Sequence, residues 1–176
     1  VVLYCGLRVL ALTIGLIFFV ALLGVQAMSA DMKGLVETSL NMGIVRLEEK
    51  RAVIQFSVRS SLEGAKKALV AKLECMARMA GAVQDVRGDY PGWAYRKESP
   101  FRDMAVEVYQ DMYGKEPEIQ AIHAGLECGL LAAKIPGLEC ISIGPDMKDI
   151  HTTEEKLSIS STARVWDYVL KLLERA

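Results

Sequence analysis

The sequence has no charge of either sign to spare: 21 Lys and Arg stand against 22 Asp and Glu, a formal net charge of -1 over 176 residues. So even a balance offers no basic surface for nucleic acid and no polybasic patch for a membrane, and neither is an expected partner. Cysteine is scarce. Cys5, Cys75, Cys128 and Cys140 lie far apart, with no C-x-x-C pair and no zinc-finger spacing. They indicate neither a disulfide framework nor a Cys-rich metal site, and they favour a reducing, cytoplasmic compartment. Histidine is limited to His123 and His151. Internal repeats and low-complexity tracts are absent. An initiator Met is missing as well: the chain starts "VVLYCG", which leads us to expect an upstream portion. The length suits one ordinary domain or pieces of two.

What is present begins with an apolar run. From Val9 to Ala30 no residue is charged, and Leu, Ile, Val and Phe dominate. By length this could span a bilayer. Arg8 before it and Val25-Gln26-Ala27 at its end also imitate a secretory signal. The alternatives are a buried helix or strand pair, or sequence altered at a fragment's edge. A membrane-anchored or exported binding module is therefore one functional reading.

Further along, "VETSLNMGIVRLEEKRAVIQFSVRSS" reads as two strands, about Val36 to Leu47 and Ala52 to Val58, joined by the charged turn 48–51. Ser60 or Ser61 can cap a helix whose apolar positions Ala65, Leu69, Leu73, Met76 and Met79 recur at helical spacing and end at Gly81. A strand-like "AVQDVRG" completes β-β-α-β order. "DYPGWAYRKESP" then has Pro and Gly punctuation and no periodicity, as a linker would. Beyond it, Ser99 and Pro100 open a helix to about Tyr113, "EIQAIH" reads as a strand, "CGLLAAKI" as a helix and "LECISIG" as a strand. "SISSTARVWDYVLKLLERA" reads as a terminal amphipathic helix. This alternation is the α/β pattern of a sheet covered by helices.

In open α/β sheets ligands bind beyond the carboxyl ends of the strands, and this reading puts both histidines there, on two loops that converge on one rim. His151 has the character of a metal ligand, with Asp149, Glu154 and Glu155 near it in sequence to orient the ring or balance charge. A closed site needs three or four ligands, so the others must come from elsewhere. Glu127, between glycines, could bind an ammonium group or hold a proton; equally, it could be a helix N-terminal carboxylate. Cys128 near His123 lacks an orienting third group, which argues against a thiol–imidazole nucleophile. Arg59 ends an apolar strand and is the side chain best shaped to grip a carboxylate; Asn41 in the facing strand could add an amide contact. In isolation these two also suit a surface arginine and a turn asparagine.

Five stretches carry a more specific signal: "GLVETSLNMGIV", "FSVRSS", "YPGW", "IHAGLECGLLAAKIPGLECISIGPDMKDIHTTEEKLSISS" and "RVWDYVLKLLE". In this order, over roughly Gly24 to Glu174, they resemble the aminoacyl-histidine dipeptidases (Xaa-His dipeptidases), a branch of the M20 metallopeptidases. Residues upstream of about Leu22 fall outside the resemblance. It makes signal cleavage at Ala27 improbable.

The resemblance implies an α/β enzyme of two domains: a catalytic domain with two divalent metal ions, expected to be zinc, and a smaller lid. This chain would hold the C-terminal part of the lid at 24–90, a linker at 91–98 and the C-terminal part of the catalytic domain at 99–176, with 1–23 of uncertain status. His151 maps onto a metal-binding histidine of the family. Glu127 and His123 fall on the substrate pocket, and Arg59 and Asn41 fall where lid residues hold a substrate carboxylate. The remaining ligands, the bridging aspartate, the general-base glutamate and the lid histidine belong to segments that would precede this chain. No catalytic residue is therefore expected here, and the isolated chain is expected to be inactive. A dipeptide is the implied substrate, and a homodimer could form through the lid.

Overall fold

The computed structural model describes residues 1–6, 23–48, 51–123 and 127–176, with only the backbone for 2–6. The apolar run is thus largely outside the described residues, as are the centre of the 48–51 turn and residues 124–126 of the glycine-bracketed turn. Among the described residues no helix is long and apolar enough to cross a membrane. The fold is mixed α/β and divides into two compact units. One comprises Val1–Tyr95 with Ala121–Lys134; the other comprises Arg96–Gln120 with Ile135–Ala176.

The first unit is a five-stranded sheet with a helix on one face. Its strands are β1 (Val2–Gly6), β2 (Gly24–Met28), β3 (Val36–Leu47), β4 (Arg51–Ser60) and β5 (Ala82–Asp85), in the order β2-β3-β4-β1-β5. Every neighbouring pair is antiparallel. The expected hairpin is β3–β4. Alternation along it decides which side is buried: Thr38 and Leu40 on β3, with Ala52, Ile54 and Phe56 on β4, face inward. Ser39, opposite Arg59, and Asn41, opposite Ser57, therefore share the other face. A register shift between Met42 and Ile44 accommodates the extra residue Gly43.

Helix α1 (Glu63–Met79) covers the inward face, closing a core of Leu40, Ile54, Phe56, Leu69, Leu73 and Ala77. Burying each of the larger side chains stabilises the unit by about 1.5–3 kcal/mol. Two local expectations are corrected. The capping residue is Leu62, without a side-chain cap, because the Ser60 hydroxyl instead accepts from the Leu62 N–H at 3.1 Å. Met79 lies at the margin of the apolar stripe and is exposed, while Lys66 takes a buried position on that stripe. The helix gives way to Gly81, whose φ of +68° suits glycine. Since β1 lies between β4 and β5 and runs antiparallel to both, β4 and β5 are parallel: α1 is a crossover around an inserted strand.

The second unit is built on α2 (Pro100–Tyr113) and α4 (Ile159–Arg175). Ser99 caps α2 by accepting from the Arg102 N–H at 3.2 Å, with Pro100 in the first turn and Gly114 in the left-handed conformation after the last. Ala105, Val108, Tyr168 and Leu172 form the core. The buried Tyr168 hydroxyl donates to the Ala105 carbonyl at 2.6 Å, and its ring meets Tyr109 edge-on at 5.5 Å. A two-residue hairpin, β6 (Met147–Lys148) and β7 (Lys156–Leu157), precedes α4. The runs 118–123 and 138–144, expected as strands, enter neither sheet. Apolar composition favours a strand only where a neighbour supplies a ladder, and neither run has one in these sheets.

Candidate functional site

In the first unit, three of the motif-bearing stretches are neighbours. β4 ends in Arg59-Ser60, with Ser61 next, and Pro91-Gly92-Trp93 passes so close to that end that a Cβ on Gly92 would lie 2.5 Å from the Ser61 carbonyl oxygen. Only glycine fits such an approach. Helix α3 (Glu127–Lys134) packs on the same segment through Gly129, where a Cβ would meet the Pro91 carbonyl oxygen at 3.1 Å and the Trp93 Cβ at 3.3 Å. The 91–93 segment is thus a packed spacer, held between β4 and α3.

Lys66 anchors its start. The ammonium group pairs with Asp89 at 2.7 Å and Glu63 at 3.0 Å and donates to the Tyr90 carbonyl. Burial opposes its charge, but the bonds to Asp89 and Glu63 outweigh that and hold its pKa above the ordinary lysine value. Sequence reading missed Lys66; a lysine three residues before Leu69 on the apolar stripe was the available signal. Arg59, Lys66, Trp93 and His123 all line a cavity of about 500 Å³ in this unit.

His123 comes to the outward face of the β3–β4 hairpin. One ring nitrogen, Nε2, is 2.7 Å from the Ser39 hydroxyl, and the Arg59 guanidinium donates to the His123 carbonyl at 3.5 Å. Ser39 and Arg59 are directly opposite each other across the two strands, so the histidine rests on a cross-strand pair. Partial burial, followed by the nearby Arg59 cation, lowers the His123 pKa below the usual 6.5, although a hydrogen bond to the Val36 backbone acts the other way. The imidazole is therefore neutral at pH 7. Asn41 is on the same face, opposite Ser57, and exposed. Glu127 is exposed in the first turn of α3, where the helix dipole favours a carboxylate. Ser39, a partner that sequence reading did not single out, shares strand and face with Asn41.

His151 belongs to the second unit, in the loop between β6 and β7. Its φ is +68° and that of Asp149 is +53°; Asp and His are among the residues that enter this region more readily than most. The conformation is secured by bonds within the loop: the His151 N–H donates to the Glu155 carboxylate at 3.0 Å, and Thr152 donates from its hydroxyl to the Asp149 carbonyl at 2.7 Å. The imidazole is exposed. Among the described residues no group of three or more His, Cys, Asp or Glu could hold a metal ion. What these residues can furnish is one ligand, not a closed set.

No family model matches the chain. It is 38% identical over 151 residues to the cytosol non-specific dipeptidase of Escherichia coli (strain K12), a stretch covering 86% of this chain and 31% of that protein. The crystal structure of aminoacylhistidine dipeptidase from Vibrio alginolyticus matches with a TM-score of 0.81 and 34% identity, over 94% of this chain and 34% of that one. Sequence and fold agree: over most of its length the chain is similar to two dipeptidases. The chain spans about a third of the length of these relatives.

Proposed function

We propose that this chain is part of a metal-dependent dipeptidase of the Xaa-His type. The observation that carries the reading is the match in both sequence and fold to two dipeptidases over most of this chain. On this reading 24–90 belongs to a lid, 91–98 to a linker and 99–176 to a catalytic domain, with a homodimer through the lid. The compartment is cytoplasmic, in keeping with the cytosol dipeptidase it resembles.

His151 is assigned as one ligand of a pair of divalent ions, taken to be zinc, whose other ligands lie elsewhere in the protein. Such ions polarise a scissile carbonyl and acidify bound water when present. Arg59 is assigned to the substrate carboxylate, for which its planar fork is suited, with Asn41 adding an amide contact from the same face. His123 and Glu127 are assigned to the substrate side: His123 as a neutral imidazole able to accept or donate one hydrogen bond, Glu127 as an anion for an ammonium group.

His151→Ala in a full-length version is expected to remove one metal equivalent and most dipeptide hydrolysis. Unchanged metal content would overturn the assignment. The isolated chain, supplied with zinc and an Xaa-His dipeptide, is expected to show no turnover above background, since one ligand cannot retain a metal pair.

A further inference from the structure

Helix α4 is apolar over more of its circumference than one packing face requires. At about 100° per residue, Ser161, Val165, Tyr168 and Leu172 fall within about 60° of one another, and Tyr168 and Leu172 close the core against α2 from that side. A second apolar stripe, Ile159, Trp166, Leu170 and Leu173, is centred about 140° further round. It is bare: these four side chains are between 43% and 87% exposed. Arg164, Asp167, Lys171, Glu174 and Arg175 are confined to about 100° of the helix between the two stripes. A helix covered from one direction needs a single apolar stripe about 100° wide, so α4 carries roughly twice what its contact with α2 uses. A bare apolar stripe of this kind marks an interaction surface.

We propose that the Ile159–Trp166–Leu170–Leu173 face of α4 is a docking surface for the part of a dipeptidase polypeptide that this chain does not contain; for its occupant this rests on the dipeptidase reading above. Length and charge select that occupant. The matches cover 86% and 94% of this chain but 31% and 34% of the two dipeptidases, so what is shared is about a third of a longer chain. A membrane surface is disfavoured because the basic residues of α4 already have carboxylate partners: Arg164 pairs with Asp146 at 3.4 Å, Lys171 with Glu174 at 2.6 Å, and Arg175 with Asp111 at 2.9 Å. A second copy is disfavoured by size. Four side chains fall well short of the about 20–30 residues a side that a stable interface engages, whereas polypeptide continuous with this chain docks intramolecularly and needs no such area. The face also bears on His151. Asp146, just before β6, donates from its N–H to the buried Ser161 hydroxyl at 2.8 Å, and its carbonyl accepts from the Ser158 N–H at 3.0 Å. The hairpin carrying His151 is thus tied to the first turn of α4, and whatever seats the helix also seats that imidazole.

Hydroxyl-radical labelling, read by mass spectrometry, compares the isolated chain with a full-length version. In the isolated chain Trp166 should be labelled freely, with Tyr168 on the covered face as the protected reference. Labelling follows exposed surface, so burying Trp166 from 63% exposure to the 7% of Tyr168 predicts a loss of about ninefold in the full-length version. Leu173→Glu places a charge on the bare face. It should leave the circular dichroism of the isolated chain unchanged and restore Trp166 labelling in the full-length version, with Tyr168 still protected. Equal labelling of Trp166 in the two unmodified proteins would overturn the docking surface. So would any protection of Trp166 within the isolated chain: if it grows with concentration the face belongs to a second copy, and if it needs phosphatidylserine vesicles it belongs to a membrane. A full-length version that hydrolyses no dipeptide would sink the dipeptidase reading and leave the labelling result standing, whereas unprotected Trp166 in an active version would overturn docking alone.

Discussion

Gly92→Ala is the substitution on which the packing around the candidate site bears most directly. The added methyl group would lie 2.5 Å and 2.7 Å from the Ser61 carbonyl oxygen and carbon, and 2.8 Å from the Ser60 carbonyl oxygen. All three are backbone atoms, so no side chain can rotate away. Relief requires the 91–93 segment to withdraw from the end of β4, disturbing the Tyr90 carbonyl's bond from Lys66 and the seat of Gly129. Forced overpacking of this kind costs about 1–3 kcal/mol. Gly64 provides the control. It lies in the first turn of α1, a Cβ there meets nothing within 4 Å, and its φ is not positive. Gly64→Ala should therefore stabilise by about 0.5–1 kcal/mol. The two variants differ only in where the same methyl group is placed, and should stand about 1.5–4 kcal/mol apart. Urea unfolding read by Trp93 fluorescence, in a Trp166→Phe background, reports on the first unit; Trp166 belongs to the second and is mostly exposed. If Gly92→Ala unfolds at the same urea concentration as its parent, the close approach is wrong.

Ser99→Ala removes the α2 cap and should cost the second unit about 0.5–2 kcal/mol in urea unfolding; replacement by Thr, which keeps a hydroxyl to accept from Arg102 and donate to Glu139, should recover part of it. The Glu139 carboxylate accepts from the Ser99 hydroxyl at 2.6 Å and the Phe101 N–H at 2.9 Å, and these bonds hold its pKa below the usual 4.5. A depressed carboxylate gives stability that is fully present above pH 4.5 and is lost as pH falls through the lowered value. An acid-unfolding series should accordingly show a shallower loss in Glu139→Gln below pH 4.5 than in the unmodified chain, and parallel curves would refute the bond pair.

Much of the fold was legible because it is written in local patterns. The β3–β4 hairpin follows from alternation, α1 from helical spacing, and α2 from Ser99, Pro100 and Gly114. The outward face carrying Arg59 and Asn41 also follows from period two once the buried face is known. Lys66 was overlooked because its partner Asp89 is 23 residues away, and Met79 was misplaced because periodicity names a stripe, not where the sheet beneath it stops. The runs 118–123 and 138–144 were misread for a related reason: their composition suits strands, but a strand exists only with a neighbour.

Periodicity, caps and turn residues thus determine the elements, since each depends on residues within a few positions of one another. Which strand fills the gap between β4 and β5, and which residue receives His123, were decided by tertiary structure alone. β1 pairs with residues about 50 positions on, and His123 meets Ser39 across 84. Nothing local in a tripeptide such as Ile122-His123-Ala124 distinguishes a histidine bound for a serine on a distant strand from one left in water. The difference comes from the close approach permitted at Gly92 and Gly129, and from the cross-strand pair that the β3–β4 register places beneath the ring.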